Sequence, residues 1–438
     1  MIKLELLTDQ IMDAVRAIHR EDIPESWVDN VDTLWELTQY GLDHNCIGHT
    51  YAIKFTDVYI GVILLGEAIP WETDPQEMDG VPFYRLMGFI IDNRFRNKGI
   101  GSQVLELAIK TIYDEYGIRP IALGVHKDNI AAARFYEKHG FLRTDVMEGN
   151  DYYYLRYPTV ISSIPEISAI YFALLQCGYD FFSIERSREH INQIQGFAVA
   201  ESGPAFFSGV RQNTCEVYPY WPRAAILETA SLHLLPECSQ FRDYDTFREG
   251  IMAADNIADY ERGQKLWDWI ANFPSALSEV LASEAFHRYL EWENRWIAAQ
   301  NIRYEAELQL IRSCLNMCVS QYGSPVRNIQ IIINPIKCVY SADYHLDGDW
   351  FIFCSGAFSA DSVVHEFLHH VVHPVVLKIA DFVLATKRTY PDIDESYYLS
   401  GDKAGQLNAF EEYSVRMLTK DVINGDYPDS LVSYLKGL

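Results

Sequence analysis

The stretch Phe83–Ser102, FYRLMGFIIDNRFRNKGIGS, decides how the N-terminal third of the chain is read. Phe83–Asp92 is apolar and reads as a strand. A helix is expected from Ile100, because Ile100, Val104, Leu107, Ala108 and Ile112 recur at helical spacing before Gly117 and Pro120 end the element. Between strand and helix lies Arg96-x-x-Gly99-x-Gly101. Two glycines let the backbone come close to a bound group and aim several N–H donors at it, and the helix start adds the positive end of its dipole. Together these make a pyrophosphate cradle, although the turn taken alone also fits a plain helix-start glycine. Neither GxxxxGK[ST] nor GxGxxG is present, so no P-loop is expected.

The flanking sequence alternates strand-like and helix-like runs, the pattern of an α/β domain. Lys3–Leu7 reads as a strand, and Asp9–Arg20 and Val31–Leu42 as helices. Tyr51–Phe55 with Val58–Leu65 reads as a hairpin, Ile121–Val125 as a strand, and Ile130–His139 as a helix stopped by Gly140. Phe141–Val146 and Tyr152–Tyr157 read as a closing hairpin.

Residues 125–141, VHKDNIAAARFYEKHGF, follow the glycine turn at a telling distance. With both motifs in place, residues 1–157 resemble the GNAT N-acetyltransferases along their whole length. Arg96-x-x-Gly99-x-Gly101 matches that family's acetyl-CoA pyrophosphate motif, and Asn129 followed by FYEKHGF matches its second signature. The resemblance implies an α/β domain with a splayed mixed sheet. It implies that the backbone of Phe89, Ile90 and Ile91 pairs with the pantetheine arm of acetyl-CoA. It implies that Arg96, Asn97, Lys98, Gly99, Ile100, Gly101 and Ser102 hold the pyrophosphate and that Asn129 bonds the pantetheine. Tyr136 would protonate the leaving thiolate, a role a phenol suits at neutral pH; its plain alternative is a core aromatic on an amphipathic helix. Aligning amine and thioester supplies most of the acceleration in such enzymes. The amine must still lose a proton, and the motifs do not specify the base. Two acidic groups stand where this fold forms its acceptor site: Glu21, Asp22 and Glu25, and then Glu67, Glu72, Asp74, Glu77 and Asp79 with Trp71 among them. They suggest a polycationic acceptor such as a polyamine, and equally fit a solvated acidic loop.

Pro158–Ser168, PTVISSIPEIS, breaks the pattern and is read as a linker, leaving 169–438 as a second domain. Its helical part is expected over about 169–325 and its chemistry over about 326–438. Residues 215–235 mix aromatic and β-branched residues, a composition compatible with strands, whereas 240–320 reads as long helices. Asn328–Ile333 and Trp350–Cys354 read as strands. After Ser355-Gly356 comes a helix carrying His365-Glu366-Phe367-Leu368-His369, an HExxH sequence, with Ser359 and Asp361 suited to its first turn and Pro374 to its end. Residues four apart share a helix face. His365 and His369 can therefore offer two imidazoles to one zinc ion (Zn2+), with Glu366 placed as general base on a water beside the metal. The metzincin continuation needs glycine and histidine where Val372 and Val375 stand, so it fails. His373 lies too far along the helix to share the ion. The segment HEFLHHVVHP…NAFEEYSVRML resembles uncharacterised bacterial zincin-like domains. That resemblance implies a mostly α (α+β) zincin-like domain of gluzincin type. On it Glu412 is the third ligand, because Val415 and Arg416 follow, and Glu411 is the alternative. Tyr397, Tyr398, Tyr413 and His373 are unranked donors for an oxyanion.

Composition sets the outer bounds. The 438 residues carry a net charge of −25, which excludes a phosphate-backbone partner of the nucleic-acid kind and favours a cationic small molecule or a peptide. The start MIKLELLTDQ lacks a cationic segment followed by an apolar one, and no long apolar stretch is free of charge, so neither a signal peptide nor a membrane partner is expected. Eight scattered cysteines suit a reducing, cytoplasmic setting; Cys314 and Cys318 are read as core residues. The sequence thus reads as an acetyl-CoA-dependent N-acetyltransferase fused to a zinc metallopeptidase-like domain. Two alternatives stay open: a second domain that only binds a peptide or partner, or acetyl-CoA binding that gates a protease.

Overall fold

The computed structural model describes residues 2–179, 187–198, 203–210, 213, 224–235, 238, 240–253, 260–339, 342–386, 388–393 and 402–438. The chain divides into two compact units, Met1–Pro158 and Thr159–Leu438.

In the first unit β1 (Ile2–Leu6), α1 (Asp9–Arg16) and α2 (Val31–Asp43) precede the hairpin β2 (Gly48–Phe55) and β3 (Val58–Glu67). Then come β4 (Tyr84–Ile91), α3 (Ile100–Tyr116), β5 (Ile121–His126), α4 (Ile130–Lys138), β6 (Leu142–Glu148) and β7 (Asp151–Arg156). The seven strands form one mixed sheet in the order β1-β2-β3-β4-β5-β7-β6. All neighbours are antiparallel except β4 and β5. That parallel pair joins only at Tyr84↔Ile121 and Arg85↔Ala122, after which the two strands part.

The cause of the parting lies in β4. Its register with β3 jumps between Val62↔Ile90 and Leu64↔Met87, so β4 carries one extra residue there, a β-bulge. Gly88 sits in the bulge at φ +56°, and an added Cβ would meet Leu34 of α2 at 2.4 Å. Glycine is needed for the left-handed backbone and for the close approach. The two faces of β4 then diverge in use. Ile90 packs with Met12, Val15, Val31 and Leu34 in the core under α1 and α2. Ile91 points the other way, toward Gly101 of α3.

The second unit opens with β8 (Thr159–Ile161) and α5 (Pro165–Gln176), where a linker was expected. Both prolines sit where they cost little: Pro158 precedes the strand, and Pro165 takes the first helical position, where its missing N–H is not needed. β8 is anchored by Asn301, which accepts from the Ile161 N–H at 3.1 Å and donates to its carbonyl at 2.6 Å. Helices follow as α6 (Arg188–Ala198), α7 (Ala205–Ser208), α8 (Ala225–Leu232), α9 (Tyr244–Ala253), α10 (Tyr260–Ile270), α11 (Phe273–Leu281), α12 (Glu284–Arg303) and α13 (Glu305–Tyr322). The described part of 215–235 is thus helical, not strand. Leu227 and Ala230 of α8 are buried in the helical core, and that packing overrides a β-leaning composition. Cys314 and Cys318 are buried on α13.

β9 (Asn328–Ile333), β10 (Asp343–Asp347) and β11 (Trp350–Ser355) complete a four-stranded sheet ordered β10-β11-β9-β8, with β10 antiparallel at its edge. The HExxH sequence lies on α14 (Ala360–Lys378), capped by Ser359, whose Oγ accepts from the Ser362 N–H. Pro374 does not end this helix. It lies inside it on an exposed face, and burial of Val376 and Ile379 carries the chain one more turn. α15 (Ala380–Thr386), α16 (Asp402–Ile423) and α17 (Leu431–Gly437) follow, with α16 packed along α14. Among the described residues no single helix is long and apolar enough to cross a membrane.

Candidate active site and metal centre

The parted strands of the first unit open a cavity of about 820 Å3. The glycine turn forms one end of it. Asn97 (φ +58°) and Gly99 (φ +73°) are both left-handed, and Gly99 is the N-cap of α3 with no side chain to cap it. The first N–H groups of α3 therefore keep their donor capacity, as an anion site requires. Arg96 is held across the turn: Nε donates to the Ile91 carbonyl at 2.6 Å and Nη1 pairs with Asp22. Its Nη2 is buried and has no hydrogen-bond partner among the described residues. The residues present therefore fit an anionic group such as a pyrophosphate.

Of the residues expected to hold the cofactor, Phe89, Ile91, Arg96, Asn97, Gly99, Gly101, Ser102 and Asn129 line the cavity. Three do not. Ile90 faces the opposite core, Ile100 is buried under the turn, and the Lys98 Nζ donates back to the Arg94 carbonyl at 2.8 Å. Asn129 caps α4, its Oδ1 accepting from the Ala132 N–H at 3.1 Å. Its Nδ2 makes no hydrogen bond among the described residues. Tyr136, 8% exposed, lines the same cavity from α4 between Phe135 and Phe141. Burial raises its hydroxyl above the ordinary phenol value, so it stays protonated. Among the described residues that hydroxyl has no hydrogen-bond partner.

Three of the eight acidic residues singled out from sequence are paired with arginines. Glu67 pairs with Arg119 at 2.7 Å and Asp22 pairs with Arg96. Asp74 receives Arg85 at 2.8 and 3.0 Å, both side chains 6% exposed, with Trp71 3.7 Å over the guanidinium. Glu21, Glu25, Glu72 and Asp79 are exposed. The carboxylates that line the cavity besides Asp22 are Asp29, Glu148 and Asp151. Sequence reading missed these three. Asp29 lies between α1 and α2, and the other two sit at the tip of the β6–β7 hairpin, which only the sheet order brings to the cleft.

The second unit gathers its own constellation. His365 Nε2 and His369 Nε2 lie 3.6 and 3.5 Å from Glu412 Oε2, and the three ligand atoms all fall within 4.8 Å of one another. Two imidazole nitrogens and one carboxylate are a zinc donor set with a position left over. Arg416 Nε donates to the other Glu412 oxygen at 2.7 Å. Glu411 is not in this group. It lies behind it, 2.9 Å from His369 Nδ1 and 2.7 Å from His373 Nδ1. A carboxylate on Nδ1 fixes the tautomer that leaves Nε2 for a metal.

Charge follows this geometry. Burial alone would lower the His369 imidazole, but its bonds to Glu411 and Glu412 raise it to about 9. Burial works against the Glu412 carboxylate too, yet His365, His369 and Arg416 hold it well below its usual range. Glu366 is pushed up, chiefly by burial, against the pull of His365 and His369. Glu366, His369, Glu411 and Glu412 face Ala342, Asp343 and Tyr344 across a pocket of about 420 Å3. Tyr344 of β10, unforeseen from sequence, stacks at 6.3 Å on the His369 ring. Of the expected oxyanion donors, Tyr397 and Tyr398 lie outside the described residues. Tyr413 stacks on Tyr390, and His373 is taken by Glu411.

Residues 12–141 match the sequence model of the Acetyltransferase (GNAT) family, so the first unit carries a GNAT acetyltransferase domain. Spermine/spermidine N(1)-acetyltransferase of Bacillus subtilis (strain 168) is 36% identical over 53 residues, a match that spans 12% of this chain and only 35% of that protein. Among solved structures, the PaiA N-acetyltransferase of Thermoplasma acidophilum in complex with coenzyme A is similar at 19% identity and a TM-score of 0.28, covering 36% of this chain and 99% of that one. Naa50 of Arabidopsis thaliana with a bisubstrate analogue is similar at 19% identity and a TM-score of 0.27, covering 35% of this chain and 97% of that one.

Proposed function

We propose that the first unit transfers the acetyl group of acetyl-CoA to a primary amine of polyamine type. One observation carries this: a single cavity joins the uncapped Gly99–Gly101 turn and the orphaned Arg96 donor to the unpartnered Tyr136 hydroxyl and three carboxylates. Arg96 and the first N–H groups of α3 would hold the pyrophosphate. The unpaired edge of β4 at Phe89 and Ile91, together with Asn129, would hold the pantetheine. Acetyl-CoA supplies an activated acetyl group. Tyr136 delivers a proton to the departing sulfur, and its elevated phenol value keeps that proton available. Asp29, Glu148 and Asp151 make the cavity negative, which suits a cationic acceptor. The likeness to a spermine/spermidine acetyltransferase is in keeping with that choice. Mass spectrometry after incubation with acetyl-CoA and a panel of amines tests it. Acetylated spermidine or putrescine is expected; acetylated neutral amino acids in preference to either would overturn the polyamine reading.

For the second unit the reading is zinc-dependent peptide hydrolysis at His365, His369 and Glu412, supported by the convergence of their ligand atoms. Zinc at that position would supply Lewis acidity to a scissile carbonyl. Glu366 would take a proton from water and pass it to the leaving amine, while Glu411 and Arg416 hold the ligands in place. Elemental analysis should find about one zinc per chain, bound three protein ligands deep. Protein purified with zinc in its buffers that carries none would remove the assignment.

A further inference from the structure

The register of the closing hairpin places several residues on one face of the cleft. His126 lies opposite Asp151, and Gly124 opposite Tyr153, across β5 and β7. Glu148 lies opposite Asp151 across β6 and β7. Directly opposed residues share a face. Glu148, Asp151 and His126 therefore stand side by side, with Tyr153 and Gly124 one step along, all lining the cavity that Tyr136 lines. Gly124 lies beside Asp151: a Cβ there would stand in ordinary contact, 3.5 Å from Asp151 Cβ and 3.6 Å from Oδ2. The carboxyl thus lies over bare strand, two residues beyond the last β4–β5 pair. The neighbouring polar groups are occupied. The Tyr153 hydroxyl lies 3.1 Å from Asp74 Oδ1 and 3.2 Å from Glu148 Oε2, with one proton to donate to either. The Asp151 carboxyl makes no hydrogen bond among the described residues.

We propose that Asp151 is the base that deprotonates the acceptor amine, a role resting on the acetyltransferase reading above. The amine enters as R–NH3+ and gives one proton to the Asp151 carboxylate. The free nitrogen then bonds to the acetyl carbon while the carbon–sulfur bond breaks. The sulfur takes the Tyr136 proton, the nitrogen's second proton restores the tyrosine, and the Asp151 proton leaves to solvent. The groups facing Asp151 are His126 from β5, Glu148 from β6 and Asp29 from the α1–α2 connection. Partial burial, with Glu148 and Asp29, raises the Asp151 carboxyl against the pull of His126, which brings it closer to a useful base.

Asp151→Asn in the full-length chain tests this with two acceptors, spermidine and an arylamine that is uncharged at neutral pH. Loss of a general base costs roughly 10²–10⁴-fold, so kcat/KM for spermidine should fall by that order. The arylamine needs no deprotonation before attack, and its rate should stay within a few-fold of the parent. Calorimetry on coenzyme A-saturated protein should show spermidine binding weakened by about tenfold, the loss of one charge-assisted contact, with coenzyme A affinity unchanged. An undiminished spermidine rate would overturn the proposal, and so would equal loss with both acceptors. A parent protein that binds no coenzyme A and acetylates neither amine would instead sink the acetyltransferase reading itself.

Discussion

Replacing Gly88 by alanine probes how the cleft is made. Gly88 holds φ +56° in the β4 bulge, and its new Cβ would lie 2.4 Å from both methyl carbons of Leu34. A left-handed backbone costs an L-residue roughly 1–2 kcal/mol. Forcing an extra carbon into packed core costs roughly 1–3 kcal/mol more, for a total of about 2–5 kcal/mol. A chain of two units has no single unfolding free energy, so native-state hydrogen exchange of the β3 and β4 amides is the better assay. Exchange there should speed up by at least ~30-fold, the equivalent of the low end of that range. In a Leu34→Ala background the steric part vanishes, and adding Gly88→Ala should cost only the backbone share, about 1–2 kcal/mol. Protection within ~3-fold of the parent in the single variant would mean that neither the left-handed backbone nor the approach of Leu34 requires glycine in the β4 bulge.

Further outcomes follow from the two sites. Tyr136→Phe should slow acetyl transfer by roughly 10²-fold or more while coenzyme A affinity is kept; unchanged turnover would take the hydroxyl out of the mechanism. Glu366→Gln should abolish peptide cleavage with zinc retained, and equal cleavage by parent and variant would end the peptidase reading. Glu411→Gln removes the carboxylate behind His369 and should weaken zinc roughly 10–100-fold in a chelator competition; an unaltered affinity would deny Glu411 that role. Glu293, 1% exposed, is pushed up to about 7 by burial, with Ser168 and Tyr289 opposing in part. Its folded value exceeds its unfolded value, so the stability it contributes is complete below about 4.5 and is lost as pH rises through 7. Glu293→Gln should therefore gain on the parent between pH 5 and 8, by up to about 3 kcal/mol in local opening free energy; parallel pH profiles would contradict this.

Much of the first unit was legible because its signals are local. The glycine turn, the helical spacing after Ile100 and the hairpin alternations each lie within a short window. The pairing of His365 and His369 was legible for the same reason, whereas Glu412, which converges with them, came only through resemblance. What stayed hidden depends on sheet order. Asp29, Glu148 and Asp151 belong to three different elements, and no spacing rule relates them to Gly99. Asp74 looked like an acceptor group because the sequence cannot show Arg85 folding onto it. The expected linker holds a strand and a helix start instead, because proline precedes a strand or opens a helix as readily as it marks a break. Pro374 misled because an exposed proline in a last turn loses little when its neighbours are buried.

The most direct test of the account is calorimetric titration of the full-length chain with coenzyme A, alongside Arg96→Ala. Binding of one equivalent is predicted, weakened about tenfold or more by the variant, since the orphaned guanidinium nitrogen would lose its phosphate contact. No binding, or equal affinity in both proteins, would contradict a cofactor cradle at the β4–α3 turn.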